Sequence, residues 1–317
     1  MALLQSLAVL LVSLLVLSKS SEFVVEHSLV LARFLKLSEL AVGFLLLSVA
    51  TSLPELVVST ISSLQGVGGI AVGNVFGANI ADLTLVLGIA LFFGKIRFQF
   101  HGKKNFELLA ALAITSILPI ALLTEELKPR AGLFLLFFFT AFAYMVLKQR
   151  VAFEPRVGKR ISGKSAVASA FLFTVGIVVL LLSANYAVKS GVNLAGALGF
   201  SNAFVGASLI ALGTTLPELA VNIAAVRKGV GGLALGNSLG SAVVNLTLVL
   251  GIAALLNPVN ASVTAFLNLI LFSLIVNCVL WLLLRFEKQW GKREGIILLL
   301  LYASFIALLF FVELVGK

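Results

Sequence analysis

Long apolar runs separated by short polar stretches follow one another along the whole chain. Ten reach the length of a membrane span: 3–34, 39–63, 70–93, 105–123, 131–148, 166–198, 202–226, 232–256, 261–284 and 295–314. A helix needs about 20 apolar residues to cross the hydrocarbon layer. The first and sixth runs exceed that length, so they are predicted to tilt or to project beyond the bilayer. The longest polar stretch, with Pro155, Gly158 and Gly163, lies near the midpoint. It is read as a linker at 149–165 between two five-helix halves, 1–148 and 166–317. The fold class expected is an all-α membrane protein of ten transmembrane helices.

Composition agrees. The 317 residues are 61% hydrophobic and 11% charged, whereas soluble domains are about 45–50% apolar and about 25% charged. The first residues, Met1 to Leu7, lack the basic start of a secretory leader. The first run is therefore expected to stay as a span.

Charge then sets orientation. The net charge is +10, which in a soluble protein would point to nucleic acid. Here eighteen Lys and Arg fall in or beside the stretches after odd-numbered spans, and four fall on the other side. Under the positive-inside rule the basic loops are cytoplasmic and both termini extracellular, in a multi-pass protein of the cell membrane. Anionic lipid accounts for the basicity, and no nucleic-acid partner is expected.

Residues 42–90 and 205–253 repeat one another without a gap at a constant offset of 163. About half the positions match, including Thr51 with Thr214, Pro54 with Pro217, Glu55 with Glu218 and Asn74 with Asn237. Five spans per half reverse direction, so the second copy enters the membrane from the opposite face. Inverted repeats with polar residues in matching spans point to a transporter whose site lies near the midplane.

Glu55, Asp82 and Glu218 all lie mid-span. Each costs roughly 2.5–3.5 kcal/mol to insert, a cost that a bound cation or proton offsets. Thr51 and Glu55 share a helix face at i, i+4, as do Thr214 and Glu218. Ser52 and Thr215 add hydroxyls. Pro54 and Pro217 have no N–H, so the carbonyls of Ala50 and Gly213 lose their helical partners. The third and eighth spans carry Gly73-Asn-Val-Phe-Gly77 and Gly236-Asn-Ser-Leu-Gly240, small-xxx-small patterns for close packing. The two asparagines are read as caps or interhelical hydrogen bonds. One turn on come Ala78 and Asp82, then Ser241 and Asn245. Glu22, in the first run, is read as pairing with Lys19 or snorkelling.

This all-oxygen set suits a hard cation. Calcium takes six to eight oxygens in flexible geometry, and sodium uses the same atoms. Cys278 and two histidines, His27 and His101, are too few for softer metals or for a disulfide framework. An intramembrane protease is excluded: Asp82 is the only aspartate, and neither histidine lies mid-span. No enzymatic activity, catalytic residue, cofactor or obligatory protein partner is expected. A non-transporting scaffold built by duplication is the alternative from another class.

At these motifs the sequence resembles the calcium/cation antiporter superfamily, and most closely the prokaryotic sodium/calcium exchangers. The resemblance implies exchange of Ca2+ for Na+ by alternating access. It implies two inverted five-helix halves, with four ion sites between spans 2, 3, 7 and 8. It makes Glu55 and Glu218 the central calcium ligands, and Thr51 and Thr214 backbone-carbonyl ligands. Ser48, Ser52, Ala211, Thr215 and Ser241 become sodium-site positions, and Asp82 and Asn245 the paired carboxylate and amide. It also implies that the long first and sixth helices slide against the rest. Three positions depart from the family pattern. Ala50 replaces a glycine, Asp82 and Asn245 are exchanged between repeats, and Ala78 replaces a serine. The lost hydroxyl at Ala78 leaves proton-coupled calcium transport as the alternative to sodium coupling.

Overall fold

The computed structural model describes residues 2–35, 46–64, 66, 68–97, 106–121, 126–148, 163–197, 206–260, 263–287 and 289–315. Most of the expected linker, the start of the second and seventh runs, and His101 lie outside the described residues. The described chain is almost wholly helical, and its helix limits fall within a few residues of the apolar runs. Among the described residues six helices are long and apolar enough to cross a membrane by length and composition.

The first half runs α1 (Ala2–Leu35), α2 (Ser48–Thr51), α3 (Leu53–Leu64), α4 (Gly68–Ala81), a π-helical turn (Asp82–Val86) and α5 (Leu87–Ala90). It continues with β1 (Ile96–Arg97), α6 (Phe106–Ala121), β2 (Glu126–Leu127) and α7 (Pro129–Lys148). The second half opens on α8 (Gly163–Ala197) and a π-helical turn (Gly206–Ile210). Then come α9 (Ala211–Thr214), α10 (Leu216–Arg227), α11 (Gly231–Val244), a π-helical turn (Asn245–Val249) and α12 (Leu250–Leu256). It closes with β3 (Val259–Asn260), α13 (Val263–Phe286), β4 (Gln289–Trp290) and α14 (Lys292–Val315).

α1 and α8 pack against each other along much of their length. At 34 residues α1 is about 51 Å long, well beyond the roughly 30 Å hydrocarbon layer. Gly176 permits this contact: a Cβ there would sit 2.8 Å from Val24. Near the basic end Glu22 pairs with Lys19 at 3.8 Å, and its carbonyl accepts a bond from Lys228.

The inner layer is α3, α4, α10 and α11 with the π-helical turns, and most of α4 and α11 is buried. Two outer contacts repeat each other at the 163 offset. α7 packs on α12 through Gly132 and Gly251, and α14 packs on α5 through Gly295 and Gly88. The strands behave likewise. Ile96 pairs with Trp290 and Arg97 with Gln289, while Leu127 pairs with Val259 and Glu126 with Asn260. Each half lends one strand to each clasp.

A Cβ on Gly132 would lie 2.6 Å from the Gly251 carbonyl and 2.8 Å from the Leu255 nitrogen, whereas one on Gly163 meets nothing within 4 Å. Overpacking of a tight contact costs about 1–3 kcal/mol. Gly132→Ala is therefore expected to lower the thermal midpoint in detergent, and Gly163→Ala to leave it unchanged.

Candidate functional site

Two helices break in the same way. α2 ends at Ser52 and α9 at Thr215, where ψ turns to 8° and 0°. In each case the proline two residues on lacks the N–H that would continue the ladder. The chain resumes at once: Leu56 donates to the Ser52 carbonyl and Leu219 to that of Thr215. Glu55 and Glu218 thus stand in the first turn after each break.

The partner segments are distorted at matching places. Asp82 and Asn245 each begin a π-helical turn. In both turns a threonine side chain takes the i−4 carbonyl: Thr84 donates to Ile80, and Thr247 to Val243 at 2.5 Å. The inserted hydroxyl widens the helix and sets the register of the residue that opens the turn.

Every residue singled out from the sequence is buried: Ser48, Thr51, Ser52, Glu55, Asp82, Ala211, Thr214, Thr215, Glu218, Ser241 and Asn245. The acidic side chains are near enough to feel one another's charge, Glu55 with Glu218 and Asp82 with both. Two hydroxyls converge on one Glu218 oxygen, Ser241 at 3.3 Å and Ser52, from the other half, at 3.5 Å. The Thr214 hydroxyl lies beside Glu55 and the Thr51 hydroxyl beside Glu218. Thr51 donates to the Leu47 carbonyl at 3.0 Å, and the single Thr214 proton is shared between the Ala211 carbonyl at 3.1 Å and the Asn74 oxygen at 3.3 Å. Thr215 donates to the Leu212 carbonyl, and the Ser48 carbonyl accepts from the Ser52 amide. The Ala211 carbonyl accepts from the Thr215 amide and the Thr214 hydroxyl, and the Ala211 methyl faces Gly77. A Cβ on Gly77 would strike the Ala207 carbonyl, so that glycine is a packing residue.

Both oxygens of Glu55, both of Asp82, one of Glu218 and both amide atoms of Asn245 are buried without a hydrogen-bond partner among the described residues. No ion pair among those residues reaches them. Unpaired buried carboxylates are among the costliest arrangements a protein can adopt. No three acidic or histidine side chains among the described residues cluster tightly enough to hold a metal ion alone. A cation here would need hydroxyl and carbonyl oxygens beside the carboxylates, which the broken helices supply.

The interhelical hydrogen bonds read for Asn74 and Asn237 are present, and sequence reasoning missed only their partners. Asn74 donates to Ser59 at 3.1 Å and to the Glu55 carbonyl at 3.4 Å, and accepts from Thr214 at 3.3 Å. Asn237 donates to Asn222, and Asn222 to Ser238. Asn79 donates to the Ala242 carbonyl, its counterpart in the repeat. The readable signal was the asparagine repeated after glycine at positions 74 and 237.

The chain is similar to known proteins over nearly its whole length. The chain is 26% identical to the sodium/calcium exchanger MaX1 of Methanosarcina acetivorans, over 96% of this chain and 98% of that protein. It is 29% identical to the inner membrane protein YrbG of Escherichia coli, over 96% and 97%. A solved structure of the sodium-calcium exchanger NCX_Mj matches with a TM-score of 0.82 and 27% identity, covering 96% of this chain and 99% of that one. The profile described as sodium/calcium exchanger protein matches residues 5–148 and 168–311. The chain is a multi-pass membrane protein and belongs to the sodium/calcium exchanger protein family.

Proposed function

We propose that this chain exchanges Ca2+ for Na+ across the cell membrane by alternating access. One observation carries the reading. Three carboxylates lie wholly buried beside two proline-broken helices, with no cationic side chain among the described residues to neutralise them. Calcium would draw on Glu55, Glu218 and Asp82, with the Thr51 and Thr214 carbonyls and the Asn245 amide oxygen completing the oxygen set. Sodium would use Ser48, Ser52, Ala211, Thr215 and Ser241 around the same two glutamates. Two ions competing for shared carboxylates is what couples their opposite movements, since neither set of charges can stay buried uncompensated.

The architecture we infer is ten spans in two inverted five-helix halves, 1–148 and 166–317, joined by a cytoplasmic linker at 149–165. The strand clasps support it. β1 follows the third span and pairs with β4, which follows the ninth; β2 follows the fourth and pairs with β3, which follows the eighth. Hydrogen-bonded loops share a side of the membrane, as this count of spans requires. Both termini then face outward and the basic loops inward. The ions are the substrates and lipid the surroundings; neither a cofactor nor an obligatory protein partner enters the mechanism.

Proton-coupled calcium transport is the second reading, favoured by one residue. Ala78 is buried opposite Ser241 in the repeat and brings no hydroxyl to the first half. Flux in reconstituted vesicles separates the two readings. Calcium uptake is expected to require an outwardly directed sodium gradient and to be abolished by Glu55→Ala or Glu218→Ala. Uptake that follows a pH gradient without sodium would establish the proton-coupled reading instead, unchanged flux in either glutamate variant would remove that residue from the ion path, and no flux in the unmutated chain would point to a scaffold. Ala78→Ser is expected to raise apparent sodium affinity, read from the sodium dependence of calcium release. No change would remove position 78 from the sodium path.

A further inference from the structure

The polar layer behind the carboxylates is built from matching parts that are in different states in the two halves. Asn74 on α4 is fully engaged. Its amide nitrogen donates to the Glu55 carbonyl and to Ser59, and its oxygen lies 3.3 Å from the Thr214 hydroxyl of the other half, which shares its proton between Asn74 and its own Ala211 carbonyl. One side chain thereby ties the turn that carries Glu55 to the break that carries Thr214. Its counterpart at the 163 offset is Asn237 on α11. That amide nitrogen is also engaged, with Asn222, the counterpart of Ser59. The Asn237 oxygen, wholly buried, has no partner among the described residues. The residue matching Thr214 is Thr51, on α2, which packs against α11. Its hydroxyl is turned back to the Leu47 carbonyl of its own helix.

A buried amide oxygen left unpaired is costly, and a threonine hydroxyl within its own repeat geometry is the donor that would satisfy it. Closing the Thr51–Asn237 contact while opening Thr214–Asn74 would keep the number of such bonds unchanged. Exchanging one such bond for its counterpart leaves this contribution even between the two states, and a protein that visits both in turn needs states of similar free energy.

We propose that Asn74 and Asn237 are positioning residues that hold Thr214 and Thr51 in alternation, one contact closed in each of the two states of the exchange cycle. The assignment rests on the exchanger reading above. The structure corresponds to the state in which Asn74 holds Thr214. Closing one tie fixes the break in that half and frees the other half to turn.

The test is the ratio of apparent calcium affinities at the two membrane faces, measured by titrating calcium on each side of vesicles with uniformly oriented protein. Asn74→Ala weakens the state seen here and is expected to shift the ratio in one direction by about two- to tenfold, the factor a single neutral hydrogen bond is worth. Asn237→Ala weakens the other state and is expected to shift the ratio the opposite way. A merely structural loss would lower folded yield or move both faces alike. Should either alanine variant fail to fold, Thr214→Val and Thr51→Val remove the same two contacts from the other side and are expected to reproduce the two opposite shifts. A ratio that stays fixed, or moves in the same direction in both members of a pair, would overturn the assignment while leaving calcium exchange intact. An unmutated chain that carries no calcium would overturn the exchanger reading and this assignment with it.

Discussion

Three acidic side chains held out of water, with no basic residue beside them among the described residues, constrain the rest of this molecule. An isolated buried carboxylate is tolerated only when something else in the structure makes its charge affordable. Here the counterweight is assembled from backbone and hydroxyl oxygens, which can surround a cation but cannot neutralise an acid alone. Two helix breaks, the π-helical turns at Asp82 and Asn245 and the asparagine layer all lie around these acids. Regular helices would turn every carbonyl into its own ladder and leave the acids alone.

Backbone distortion at this depth is stable only where neighbouring protein covers it. That is the role of the glycine contacts. Gly77 lets α4 approach the chain at Ala207 and Ala211, and Gly132 and Gly295 bring α7 and α14 against the ends of the inner helices. The long pair α1 and α8 packs mainly on itself, and α1 also packs along α10 of this inner layer.

Much of this was legible in the sequence. Helix limits followed from apolar run length, and the proline breaks at Ser52 and Thr215 followed from a missing N–H. The burial of Glu55, Asp82 and Glu218 followed from their place inside apolar runs. The π-helical turns were not legible, because Thr84 and Thr247 look like ordinary β-branched residues until their hydroxyls are seen on the i−4 carbonyls. Nor was the unequal state of Asn74 and Asn237. Two residues identical in type and in repeat position carry no sequence mark of which one is engaged; that difference belongs to the conformation. The strand clasps escaped notice because two-residue strands leave no periodicity to read.

Those clasps bear on how the chain is made. Neither half contains both strands of either pair, so a ribosome that has delivered only the first half has produced two open edges with nothing to close them. Ile96 and Leu127 must wait for Trp290 and Val259, which emerge much later. The two clasps therefore close only after the later part of the chain has been made.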